Sequence, residues 1–213
     1  MNLRLTISTI GAIIGIAGLE HGIGEMLQDD VAPDGFYIKS WPNSRLYEIV
    51  DGEPAITIVP NLFLAGLVTI LLSILFIAWI VFFLQSSYQK YNFYILLLFS
   101  ISLLLSGGGV APPVIGFIVC FFIGRLKDSD QNIHKTIYIH DKTAKLWSFF
   151  YVLFVLAFLS LWPGLIILSL FLELSDPLVV YFLVFTAFTS LILALYIATL
   201  LEPKLEKEGW LKI

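Results

Sequence analysis

The chain has 213 residues, of which 59% are hydrophobic and 13% charged, with a formal net charge of −4 and a mean hydropathy of +0.93. So few charges cannot give a globule of this size a solvated surface, which excludes a soluble domain and predicts an integral membrane protein. Apolar runs of about 20 residues recur without alternation, as spanning helices require and a β-barrel does not, and nothing in the sequence suggests nucleic-acid binding.

The first apolar run predicts a helix over 4–27. Arg4 precedes a hydrophobic stretch as in a signal peptide, but the stretch is too long and lacks an Ala-x-Ala cleavage pattern, so a retained signal-anchor helix is expected. At about 100° per residue, Gly11, Gly15, Gly18 and Gly22 form a bare stripe along which a helix backbone can come close. The stripe serves equally well for packing within the chain or against a partner membrane helix. His21 and Glu25 flank it, four residues apart, so their side chains stack on one side while Glu20 falls on the other.

A polar extracytoplasmic loop is expected over 28–53, with Phe36, Tyr37, Trp41 and Tyr47 at headgroup depth and a short surface helix over 43–50. Helix 2 is expected over 54–84, with Pro54 as its first residue and tilt or a bend near Pro60. Two short helices, 91–106 and 113–126, flank Gly107-Gly108-Gly109-Val110-Ala111-Pro112-Pro113. No continuous helix tolerates that sequence, which leaves a hairpin of two short spans or one broken helix. Helix 5 is expected over 147–172, kinked at Trp162-Pro163-Gly164, and helix 6 over 177–201, opened by Asp176-Pro177 and ending before Glu202-Pro203. The intervening cytoplasmic loop, 127–146, predicts a small β-hairpin over Lys135–Lys142, with His134 and His140 as solvated histidines without ligand spacing.

Positive charge chooses between five and six spans. Six spans put Arg4, Lys90, the five cations from Arg125 to Lys145, Lys204, Lys207 and Lys212 on the cytoplasmic side and leave only Lys39 and Arg45 outside. Five spans would move the Arg125–Lys145 cations outward. The sequence therefore predicts an all-α, six-transmembrane-helix bundle forming one domain, with short helices 3 and 4 joined by the GGGVAPP turn and both termini cytoplasmic. A prokaryotic plasma membrane is the expected location. Ten acids, among them Glu20, Glu25, Glu48, Glu53 and Asp176, then lie on the outer side, either because acids are indifferent to topology or as a vestibule for cations or a basic partner.

His21 and Glu25 are the sharpest candidates for chemistry, since an imidazole and a carboxylate one turn apart can share one proton or one metal. Two ligands do not make a metal site. Others would have to come from Glu20, Asp51, Glu53, Glu173 or Asp176, all expected at the same level. The bland alternative is that both groups reach interfacial water or an interhelical hydrogen bond. Gly107, Gly108 and Gly109 are the second candidate, as free backbone lining a cavity or as a tight outer turn. Helices opened by Pro54, Pro113 and Pro177 would aim positive dipole ends at the outer acids.

Between their ends, helices 2 to 6 contain hydroxyls such as Thr69, Ser73 and Ser190 but no Asp, Glu, His, Lys or Arg, and Cys120 reads as a lone buried thiol. That omits the mid-membrane relay of a proton-driven transporter. Nucleotide-binding loops, HExxH and paired intramembrane aspartates are missing, no serine has a convincing His and Asp partnership, and no cofactor is indicated. The expected function is a binding or accessory membrane protein working on its extracytoplasmic side near His21 and Glu25, with Glu20, Glu53 and Gly107–Gly109 as accompanying site residues. The alternatives are a small membrane enzyme acting on a lipid or isoprenoid, with His21 as base and Glu25 as its orienter, and a passive channel or carrier.

Overall fold

In the computed structural model, residues 2–41, 53–83, 89–129, 141–161 and 177–207 are described. They form α1 (Asn2–Met26), β1 (Tyr37–Ser40), β2 (Glu53–Ile56), α2 (Leu62–Ala78, continued by a π-helical turn Trp79–Phe83), α3 (Gln89–Ser106), α4 (Ala111–Ser129), α5 (Asp141–Leu159) and α6 (Pro177–Lys207). The described chain is mostly helical. Four of its helices are long and apolar enough to cross a membrane, over Leu5–Met26, Leu62–Phe82, Lys142–Leu159 and Leu178–Leu201, while Tyr91–Ser106 and Ala111–Ile123 are shorter apolar segments.

Several boundaries differ from the sequence expectation. Pro54 lies in a strand rather than at the start of helix 2, and Pro60 precedes the helix instead of bending it. The run Ile56-Thr57-Ile58-Val59 is β-branched and favours extended backbone, and Asn61 caps the helix, its side chain accepting from Leu64 N at 2.9 Å. Helix 5 begins at Asp141, not Trp147, because Asp141-Lys142-Thr143-Ala144-Lys145 is a helix-competent segment that hydropathy does not register; the expected turn of the 135–142 hairpin is therefore its first turn. α6 continues through Pro203 to Lys207, since a proline removes one helical hydrogen bond without abolishing its neighbours. The 43–50 helix, the hairpin's strand residues and the Trp162-Pro163-Gly164 kink lie outside the described residues.

Two compact units divide the chain, Ser8–Gly124 and Met1–Ile7 with Arg125–Ile213. In the first, α1 and α2 run antiparallel along the glycine stripe. A side chain on Gly11 would meet Ile80, on Gly15 Ile77, on Gly18 Ser73 and on Gly22 the Gly66 carbonyl and Ile70, so the missing side chains set how near the two backbones come. α3 packs on α2 through the edge-on pair Phe76 and Phe99, 5.9 Å between centroids. α3 and α4 form a hairpin, with Gly116 against Ser100 and the Cys120 thiol facing the Phe93 carbonyl. β1 and β2 pair antiparallel, Ser40 opposite Glu53 and Tyr37 opposite Ile56.

In the second unit, α5 packs on α6. Ala157 on α5 and Ala187, Leu191, Ala194, Leu195 and Ala198 on α6 are all buried. The Trp147 indole stacks on Tyr151 and donates to Thr6 Oγ1 at 3.1 Å. Tyr181, Phe182, Phe185 and Tyr196 stay exposed along α6, as the lipid-facing flank of a spanning helix would be.

Candidate functional site

The site is assembled where α1 ends. His21 and Glu25 lie in the last two turns of α1 and are buried, His21 5% exposed and Glu25 0%. Their common neighbour is Ser40. The strand Tyr37–Ser40 alternates exposed and buried residues, so Ile38 and Ser40 turn inward while Tyr37 and Lys39 face out. The Ser40 hydroxyl lies 3.3 Å from His21 Nδ1 and donates to Glu25 Oε1 at 3.4 Å. A hydroxyl has one proton to give, so in the tautomer with its proton on Nδ1 His21 donates to Ser40, which in turn donates to Glu25.

The cluster is held from two sides. Gln28 Nε2 donates to the Gly24 carbonyl at 3.2 Å and to the Lys39 carbonyl at 3.3 Å, which satisfies an end carbonyl of α1 and ties the strand to it. On the other side the turn between α3 and α4 closes over both ionisable groups. Gly107, at φ +107°, lies against the Glu25 carboxyl, and Gly109, at φ +74°, lies against His21 Nε2. Gly108 N donates to the Leu103 carbonyl at 2.8 Å, the helix-ending bond in which a glycine at positive φ lets the chain leave α3. Two further end carbonyls of α3 are bound as well. Ile58 N donates to the Leu105 carbonyl at 2.9 Å, and Thr69 Oγ1 lies 3.0 Å from the Ser106 carbonyl and 2.9 Å from Ser106 Oγ. The segment after β2 and Thr69 of α2 thereby tether the end of α3 from which the turn departs.

Of the sequence candidates, His21, Glu25, Gly107 and Gly109 meet here. Gly108 is buried in the same turn but packs against Leu103. Glu20 is half-buried elsewhere on α1, and Glu53 is placed by its backbone alone, opposite Ser40. Asp51, Glu173 and Asp176 lie outside the described residues. With Pro54 in β2, the expected convergence of three proline-led helix starts is not assembled. Ser40 and Gln28 were missed by sequence reasoning. The signal for Ser40 was the alternation in Tyr37-Ile38-Lys39-Ser40, which puts it on the face of Ile38.

Chemically, the order of groups is imidazole, hydroxyl, carboxyl. A nucleophilic triad places the imidazole between the hydroxyl and the acid so that it can take the hydroxyl proton, whereas here that proton is directed at Glu25. Among the described residues no group of three or more His, Cys, Asp or Glu side chains gathers to hold a metal. Comparison with protein-family models, with curated proteins and with solved structures gave no match.

Proposed function

We propose that the chain is a six-span membrane protein with both termini in the cytoplasm, working as a binding or accessory protein whose site is the buried His21–Ser40–Glu25 cluster at its outer end. One observation carries this reading: a carboxyl and an imidazole are buried together at a helix end and covered by a glycine turn shaped to them, an investment in buried polarity that packing alone does not require. The order of groups favours binding over nucleophilic catalysis. The inner and outer distribution of Lys and Arg supports the topology.

Elemental analysis and lipid mass spectrometry of detergent-purified protein, wild type beside the His21→Ala/Glu25→Gln double variant, test the reading. A stoichiometric lipid or other ligand retained by the wild type and lost from the variant is the expected result. Nothing bound to either protein, with the variant equally stable, would leave the cluster as a packing device and overturn it.

A further inference from the structure

We propose that the cluster is a binding site for one exchangeable proton, and that the proton's presence holds the Gly107–Gly109 turn closed over it; the proposal rests on reading this end of the molecule as a binding site. Glu25 is wholly buried, yet among the described residues its carboxyl receives a single hydrogen bond, from Ser40 at 3.4 Å, and Oε2 has no hydrogen-bond partner. An ionised carboxylate withdrawn from water needs donors on both oxygens or a counter-charge. Its position adds to the demand, because Glu25 is one residue from the end of α1, where the outward carbonyls oppose negative charge.

What covers the group decides the ligand. The Gly107 backbone sits so near that even a methyl group there would overlap the carboxyl, and Gly109 stands in the same relation to the His21 ring. A proton can join the closed cluster without moving this cover, whereas a larger ligand would have to lift the turn. From α1, among the residues whose side chains are described, His21 is the titratable group facing Glu25, since Glu20 lies elsewhere on the helix. β1 contributes Ser40, with Lys39 on the exposed face. β2 places the Glu53 backbone opposite Ser40, α2 contributes the hydroxyl of Thr69 through Ser106, and the turn itself presents only glycines.

When the proton passes to water on the outer side, the cluster gains one negative charge that the closed arrangement cannot solvate. Water or a donor reaches it only if the turn lifts, and three glycines make that the part of the cover with the least to break. Reprotonation restores the closed form. The outer end of the protein thus changes shape with proton occupancy.

Infrared spectroscopy and amide hydrogen exchange on the same purified protein test this together, across the pH range in which it stays folded. The expected result is a carboxylic-acid C=O band in the wild type that shifts in D2O and is absent from Glu25→Gln, with exchange protection at 107–110 falling as the band fades with rising pH. Glu25→Gln, which is neutral at every pH, should keep the turn protected throughout. If that variant fails to fold, Ser40→Ala serves in its place, since loss of the Ser40 bond should shift the band frequency. A wild type whose Glu25 is ionised at every pH, or a turn whose protection ignores the band, overturns the proposal. Ligand retention with an ionised Glu25 would do so while leaving the binding reading intact, and a protonating Glu25 in protein that retains nothing would do the reverse.

Discussion

Glycine serves two separable purposes at Gly107 and Gly109, supplying a backbone angle and leaving a space. Gly35 isolates the first of these: it has φ +90° and nothing within 4 Å of where a side chain would start. Gly35→Ala should therefore cost only the left-handed penalty, about 1–2 kcal/mol. Gly107→Ala and Gly109→Ala add overlap with Glu25 and His21 and should cost about 2–5 kcal/mol. Thermal unfolding of the detergent-solubilised variants checks the order, and an equal loss at all three positions would show that the turn does not press on the cluster.

For the elements, the contact between α1 and α2 grades along its length. At Gly11 the neighbouring atoms all belong to the Ile80 side chain and at Gly15 the nearest belong to that of Ile77, with the Ser73 carbonyl farther off at 3.3 Å, whereas at Gly22 and Gly66 backbone is among the nearest, with the Gly66 carbonyl 2.8 Å and the Ile70 amide 3.0 Å from a side chain added at Gly22. An isoleucine can change rotamer; a helix backbone cannot move alone. Gly22→Ala and Gly66→Ala should each cost about 1–3 kcal/mol, and Gly11→Ala distinctly less, by the same thermal measurement. Hydrogen bonds to other segments explain why helix 2 starts later than its hydropathy suggests. Hydropathy rates Ile56-Thr57-Ile58-Val59 as helix-compatible, but the Thr57 amide bonds to the Phe36 carbonyl and the Ile58 amide to that of Leu105, and these non-local partners hold the segment extended.

For the whole molecule, the proposed topology predicts which positions an impermeant thiol reagent reaches in intact cells. With Cys120→Ala as background, Asp34→Cys should react from outside and Lys142→Cys only after the membrane is broken; both positions are exposed in the folded chain. Reaction of both from outside would exclude the six-span arrangement. It would not disturb the cluster, whose geometry lies within the unit Ser8–Gly124.

The sequence by itself determined the mostly helical architecture, the recurrence of apolar helices, the break after Ser106 and the glycine stripe of α1, because each follows from composition or from a local period; the helix after that break begins at Ala111, earlier than the expected Pro113. The relation of His21 to Glu25 is of the same kind, since four residues make one helical turn. Only the tertiary structure decided that α2 is the helix lying on the stripe, that Ser40 bridges the two ionisable groups from 15 residues beyond Glu25, and that the glycine turn covers them. Those contacts join segments far apart in the chain. No local pattern encodes them, because they depend on which backbone donors and carbonyls are left unpaired when the elements meet.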